Sequence, residues 1–252
     1  MKKLLLIAAI IVIAAPAHAQ LFMAWNACDG TAGSSTARMS FDCRPGSDFT
    51  AELWGTFGLP GTTLGVVAVD GTIDLTFQYP QEISPFWHFE PGGCNSSGIG
   101  MTIYRGSSSV PCKQGNSTLL CGVNGEFCSG GIGSYEPGFG GYNRARLSFS
   151  IARPDTNPQS LPGVPTRVFG FRLKFTMGNT PGSGGGDCTG CETATVIRWS
   201  RAVVWGNSSG QRYLAAIIDA ATPGSTDWLL INDAFPVPVQ AKSWGQLKAL
   251  YR

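Results

Sequence analysis

The residues best suited to acid–base chemistry lie in one aromatic segment. His88 is the only histidine after residue 19, and it stands two residues before Glu90 within residues 84–91. In an extended segment these two side chains face the same way, which is the spacing that general acid–base work or part of a triad would need. An H-E-x-x-H zinc site needs two histidines four residues apart, which the chain lacks. We predict that His88 is a partly buried residue bonded to Glu90 or to backbone.

Paired carboxylates are the second chemistry that the composition allows. A glycosidase needs two acids that flank the scissile bond. The acids nearest to each other in sequence are Asp70 with Asp74, Glu82 with Glu90, and Asp187 with Glu192. Nothing in their surroundings distinguishes them from surface acids. A secreted hydrolase using paired carboxylates or His88 therefore remains an alternative, and we assign no catalytic residue.

The cysteines predict a disulfide framework. All eight follow residue 19: Cys28, Cys43, Cys94, Cys112, Cys121, Cys128, Cys188 and Cys191. An even number in an exported chain is typical of disulfide bonding. The spacing favours four local pairs, each closing a short loop: Cys28 with Cys43, Cys94 with Cys112, Cys121 with Cys128, and Cys188 with Cys191.

The C-x-x-C sequence allows a second interpretation. Cys188-Thr-Gly-Cys191 could be a redox site if it opened a helix after a strand. It follows a glycine-rich loop and precedes a strand pattern, so we expect a turn closed by a disulfide. A structural zinc site needs four cysteine or histidine ligands in short paired spacings, which this chain does not offer. We expect no metal and no cofactor.

The N-terminal residues predict export. Two lysines, a short apolar run and an Ala-x-Ala-like site ending at Ala19 are typical of a bacterial secretory signal peptide. Its removal takes away two of the 18 basic residues, and the 16 that remain equal the 16 acidic ones. A formally neutral chain without a basic stripe lacks the electrostatic footprint of a nucleic-acid-binding protein. No later segment has the length and apolarity of a transmembrane helix.

Alternating apolar residues predict an all-β fold. The clearest examples are 169–177, 147–151, 73–79 and the set Ile197, Trp199, Val203 and Trp205, which Arg201 interrupts. Further strand candidates are 21–25, 37–41, 49–57, 63–69, 100–104, 213–218 and 228–231. Asp70-Gly71 predicts a tight hairpin turn, and residues 129–142 predict a long glycine-rich loop. About ten short strands with Gly and Pro between them favour an antiparallel, jelly-roll-like β-sandwich over residues 20–234, with the signal peptide at 1–19.

Seven tryptophans leave carbohydrate binding open. Exposed aromatic rings on a β-sandwich can stack on sugars, but most of these tryptophans fall on the apolar side of strand patterns, where core packing is expected. A carbohydrate-binding module therefore remains an alternative function.

Residues 235–252 predict a spacer and a short C-terminal helix. Two prolines make residues 235–240 a semi-rigid segment, and Ser243 can cap the helix that follows. Trp244, Leu247, Leu250 and Tyr251 share one face. Two turns are not stable alone in water, so this tail must dock on its own domain or on a sorting or envelope partner.

The tail also carries a resemblance. "GGYNRARL" at 140–147, "CTGC" at 188–191 and the closing "SWGQLKALYR" at 243–252 resemble a group of uncharacterised secreted proteins of environmental bacteria. These end in a Thr-Trp-Gly-x-Ile-Lys-x-Leu-Tyr-Arg-like tail, where this chain has Ser for Thr and Leu for Ile. The resemblance implies no activity, cofactor or catalytic residue. It implies a recurring tail module, which favours a sorting or docking role.

These observations together predict an exported, non-enzymatic protein. We expect a structural, adhesive or ligand-binding role in the cell envelope or extracellular space.

Overall fold

The structure is a computed structural model that describes residues 18–28, 36–44, 47–78, 82–103, 117–121, 128–181, 187–220 and 226–232. The predicted signal peptide before residue 18 and the predicted tail helix with Trp244, Leu247, Leu250 and Tyr251 lie outside these residues. The described part is all β, with one 3-10 turn at Pro85–Trp87 and no α-helix. Its thirteen strands are β1 Gln20–Trp25, β2 Arg38–Met39, β3 Thr50–Gly58, β4 Thr63–Phe77, β5 Ile99–Thr102, β6 Ser117–Leu119, β7 Ser129–Pro137, β8 Arg144–Ala152, β9 Gln159–Leu161, β10 Arg167–Thr176, β11 Thr195–Ser208, β12 Gln211–Asp219 and β13 Trp228–Ile231.

The strands form two sheets. In the five-stranded sheet, β1, β3 and β10 lie side by side, and β5 and β6 share the far edge of β10. In the eight-stranded sheet the order is β2, β13, β11, β4, β8 and β7, with β12 also on β11 and β9 also on β4. Most pairs are antiparallel; β6 with β10 and β2 with β13 are parallel. Both long strands, β4 and β11, lie at the centre of the larger sheet.

Aromatic rings from both sheets meet in one core. Phe149 of the larger sheet and Phe171 of the smaller one have ring centroids 4.4 Å apart. Trp199 of the larger sheet lies 4.9 Å from Phe171 and 6.4 Å from Phe57 of the smaller sheet. All four rings are buried. The predicted alternation is confirmed in β8 and in β10 from Phe171 onward, where the apolar positions face this core. It is wrong for Phe169, which a bulge places on the other face of β10, 5.6 Å from the Trp54 ring.

The predicted turn at Asp70-Gly71 is wrong, because both residues lie inside the continuous strand β4. Gly71 pairs with Phe149 of β8, and a Cβ on Gly71 would lie 2.0 Å from the Phe149 ring. The glycine is needed so that this ring can lie over the strand. Gly55 of β3 does the same for Phe171, whose ring would lie 2.3 Å from an added Cβ.

The predicted glycine-rich loop at 129–142 is also wrong over most of its length. Its first nine residues form β7, which pairs with β8 at the edge of the larger sheet. Backbone hydrogen bonding to β8 overrides the weak strand preference of three glycines. The remaining residues form the turn that leads into β8.

Three of the four predicted disulfide pairs are wrong. The structure joins Cys43 to Cys191 and Cys94 to Cys188, so the C-x-x-C sequence holds no internal disulfide. Cys28 is disulfide-bonded too, but not to Cys43. Only the pair Cys121–Cys128 is confirmed.

The physical reason for these errors is the position of the turn at residues 188–191. It lies against the Pro85–Trp87 segment: Phe86 N–H donates to the Thr189 carbonyl at 2.9 Å, and Trp87 Nε1 to the Gly190 carbonyl at 3.1 Å. The turn therefore presents its two cysteines to two segments that are distant in sequence.

Candidate ligand-binding face

The His88 segment is built as a packed structural element. His88 Nδ1 lies 2.7 Å from Glu90 Oε1, and its Nε2 lies 3.3 Å from the Ile83 carbonyl. The prediction of a partly buried histidine bonded to Glu90 or to backbone is confirmed, with both partners present. Nearby, the buried Tyr135 hydroxyl donates to the Trp87 carbonyl. Burial raises the pKa of Tyr135 above its ordinary value, and the negative charge of Glu90 raises it further.

A serine-nucleophile pattern in the sequence is a hairpin turn in the structure. Gly206, Ser208 and Gly210 have G-x-S-x-G spacing, which in α/β-hydrolases marks a strand-to-helix elbow. Here Ser208 ends β11 and pairs with Gln211 at the start of β12. Ser209 and Gly210 have φ of 54° and 84°, as a two-residue hairpin turn requires. The hairpin turn thus explains the presence of Gly210, and Ser208 does not lie at a nucleophile elbow.

The candidate acid pairs are engaged with other partners. Both carboxylate oxygens of Asp74 accept from Arg146, at 2.7 and 3.0 Å. Asp70 accepts from Ser150 Oγ and from Trp205 Nε1, both at 2.7 Å. Glu90 bonds to His88.

The other acids of these pairs, Glu82, Asp187 and Glu192, are exposed. Within the described ranges, no group of three or more His, Cys, Asp or Glu side chains could hold a metal ion.

One face of the larger sheet carries a continuous row of polar and aromatic side chains. We call this the outer face, because the opposite face buries Leu75, Leu147 and Ile197. Five residues stand directly opposite one another across five strands, and we call them the outer row: Trp228 of β13, Arg198 of β11, Asp74 of β4, Arg146 of β8 and Glu136 of β7. Four strand spacings make the row about 19 Å long.

At one end of the row, an exposed aromatic turn covers Arg146. The turn between β7 and β8 places the Phe139 ring centroid 3.7 Å from Arg146 Cζ, which is a cation–π contact. Phe139 is 40% exposed and Tyr142 in the same turn is 68% exposed. Asp74 raises the pKa of Arg146 by hydrogen bonding to its guanidinium group. Arg146 is thus held between a carboxylate and a ring, in a fixed orientation.

At the other end, Trp228 is exposed beside a second fixed arginine. Arg198 Nε donates to Asp227 Oδ2 at 2.8 Å, and Arg198 Nη2 to the Ala220 carbonyl at 3.3 Å. The Asp227 side chain is only 6% exposed, so Arg198 has a buried anchor. Trp228 is 39% exposed and stands directly opposite Arg198. Near each end of the row, an oriented arginine therefore lies beside an exposed ring.

A β-bulge in β11 brings a further tryptophan to the outer face. The pairing with β4 shifts between Trp199 and Arg201, and after this shift Ala202 and Val204 face the core. The prediction that Val203 and Trp205 share the inward side with Ile197 and Trp199 is wrong. Trp205 instead donates to Asp70 on the outer face. The arginine within the apolar series was the sequence signal of this shift.

The charges of the outer face cancel. Six arginines (38, 144, 146, 198, 201 and 212) and six acids (70, 74, 136, 155, 219 and 227) stand on it or pair with it, so 6 − 6 gives a formal charge of 0. No cationic patch arises from this set. The face can offer hydrogen-bond donors and acceptors in fixed positions together with flat apolar rings.

Comparisons of the chain with protein-family models, with curated proteins and with solved structures found no match. In the part of the chain that the structure describes, no helix has the length and apolarity to cross a membrane.

Proposed function

We propose that this chain is an exported, non-enzymatic binding protein that uses the outer face of its larger sheet. The observation that carries the proposal is the outer row with Phe139 over it, in which two arginines held by carboxylates lie beside the exposed rings of Trp228 and Phe139. Positions fixed before a ligand arrives lower the entropic cost of binding it. No step of bond making or breaking is needed to explain this arrangement.

The proposal includes a jelly-roll-like β-sandwich. It is supported by the ring contacts that join the two sheets, with Phe149 and Phe171 only 4.4 Å apart. In such a sandwich the larger sheet buries one face against the smaller sheet and would present its polar face to solvent.

Export to the envelope or extracellular space is supported by the signal-like N-terminus and by the disulfides. The tail at residues 235–252, which resembles that of secreted bacterial proteins, would attach the protein to a sorting or envelope partner, leaving the outer face available for its ligand.

The test is co-sedimentation of the purified, disulfide-intact protein with envelope and extracellular polymer of its host. Trp228→Ala removes one end of the outer row, and the double variant Asp74→Asn/Arg146→Gln removes its central ion pair. Leu64→Ala, at an exposed apolar site outside the row, and Lys174→Gln, on the smaller sheet, are the matched controls.

We expect the bound fraction to fall for the row variants and to stay unchanged for the controls. Equal sedimentation of all variants, with their folds intact by circular dichroism, would refute a binding role for this face.

A further inference from the structure

We propose that the ligand of the outer face is an uncharged polysaccharide, lying across the strands along the outer row. This inference rests on the proposed function and names the chemistry of its ligand. It draws on three properties of the face: its rings, its donors and its charge.

The exposed rings suit the apolar faces of sugar rings. Trp228 lies on β13, and the Phe139 ring lies over Arg146 of β8, three strand spacings or about 14 Å away; 39% and 40% of their surfaces are exposed. A pyranose presents a patch of C–H bonds on one or both faces, which packs on an aromatic ring. Two such rings at this separation match an extended chain of several sugars better than a single one.

The groups between the rings suit hydroxyls. Arg146 uses Nε and Nη2 on Asp74, so Nη1 and the second Nη2 hydrogen remain for a ligand. Asp74 and Glu136 supply carboxylate oxygens in the same row, as acceptors for hydroxyl hydrogens. The side chains of Arg146, Asp74 and Arg198 are 29%, 31% and 32% exposed, so each is accessible yet held by its partner.

The balance of charge argues against an anionic ligand. A face with no net formal charge does not attract polyuronates or nucleic acid, whose binding is driven by clusters of unpaired Lys and Arg. Each arginine of the row is already neutralised by an acid. An uncharged polysaccharide is the extended ligand class that needs donors, acceptors and rings without a net charge.

The experiment is isothermal titration calorimetry of the disulfide-intact protein with soluble hydroxyethylcellulose, arabinoxylan and galactomannan, and with polygalacturonate as the anionic comparison. We expect at least one uncharged polymer to bind. Its affinity should change less than about twofold between 50 and 500 mM NaCl, because no counterions are released. Trp228→Ala and Phe139→Ala should each weaken it at least about tenfold, and Leu64→Ala should not.

Three results would overturn the inference. One is binding to polygalacturonate alone, with affinity that falls steeply with salt. Another is the absence of binding heat with every uncharged polymer, while the protein still co-sediments with envelope and the row variants still reduce that co-sedimentation. This result would reject the ligand class and leave the proposed function intact. Binding that Trp228→Ala and Phe139→Ala leave unchanged would show that sugars bind elsewhere.

Discussion

Gly71→Ala should strongly destabilise the protein, although alanine has the better intrinsic strand preference. Gly71 has no positive φ, so an alanine there is not strained by its backbone. Its Cβ would, however, lie 2.0, 2.3 and 2.6 Å from three atoms of the Phe149 ring. An ordinary carbon–carbon contact is about 3.5 Å, so the ring would have to move by about 1.5 Å.

The ring of Phe149 has no room for that movement. Phe171 lies 4.4 Å behind it and Trp199 lies 6.1 Å away, and Phe171 is itself seated on Gly55. We therefore expect a cost near the upper end of overpacking, about 3 kcal/mol of unfolding free energy. Phe149→Ala alone should cost about 3–5 kcal/mol by leaving a cavity.

The decisive measurement is a double-mutant cycle. With the Phe149 ring removed, the Gly71→Ala methyl has space, so in that background it should be neutral or stabilise by up to about 1 kcal/mol. Unfolding free energies come from guanidinium titration followed by tryptophan fluorescence, with disulfides intact. Gly100→Ala is the control, since it lies in β5 with no atom within 4 Å of the added Cβ, and it should change stability by less than about 0.5 kcal/mol. Additive costs for Gly71→Ala and Phe149→Ala would refute the seated-ring interpretation.

Three further predictions test other parts of the structure. Replacing Cys43 and Cys191 by serine should lower the unfolding free energy by roughly 4–5 kcal/mol, because this disulfide spans 148 residues. Replacing Cys121 and Cys128 should lower it by only roughly 2.5 kcal/mol, because that disulfide spans 7 residues. Guanidinium midpoints of the two double variants measure the difference, and equal losses would contradict it. Asp227→Asn should lower stability by about 1–3 kcal/mol, because the Asp227 carboxylate is buried against Arg198. Asp219→Asn should lower it by less than about 1 kcal/mol, because the Asp219 side chain is 63% exposed and lies 3.6 Å from Arg201. Thermal melts at matched pH compare the two variants, and a larger loss for Asp219→Asn would count against Asp227 as a buried anchor. The pKa of Tyr135 is raised in the folded state, so the folded protein keeps its phenol proton above about pH 10, where the unfolded chain releases it. Its contribution to stability is therefore complete below about pH 10 and is lost as the pH rises above that value. Tyr135→Phe should flatten that alkaline loss in denaturation titrations between pH 8 and 11, and an unchanged slope would show that other groups cause it.

Strand positions were largely predictable from sequence, and the errors have identifiable causes. Period-two alternation found β8, β10 and the second half of β4, where one face is apolar and the other polar. It could not find β7, which has no such pattern and is held by its neighbour β8. Asp70-Gly71 was predicted to be a turn, because the sequence does not show that the glycine makes room for the ring of Phe149 from another strand.

The candidate site was less predictable than the fold. The five residues of the outer row come from five strands, and their alignment is a matter of register, which depends on pairing across up to 124 residues, from Asp74 to Arg198. Trp205 was assigned to the wrong face because a one-residue bulge reverses every later side chain in the strand. The predicted disulfide pairings were wrong for a different reason: the prediction joined cysteines that are close in sequence, whereas two of the bonds join cysteines 148 and 94 residues apart.

The turn at Cys188–Cys191 constrains the order in which the protein can mature. A chain that enters an oxidising compartment from its N-terminus exposes Cys28, Cys43 and Cys94 long before residues 188 and 191 arrive. An oxidase that joins cysteines as they emerge would produce consecutive, non-native bonds. If the chain is exported as proposed, its native bonds form when the two sheets assemble before oxidation or when a disulfide isomerase exchanges the early bonds. Where oxidation comes first, the yield of native protein should depend on the isomerase.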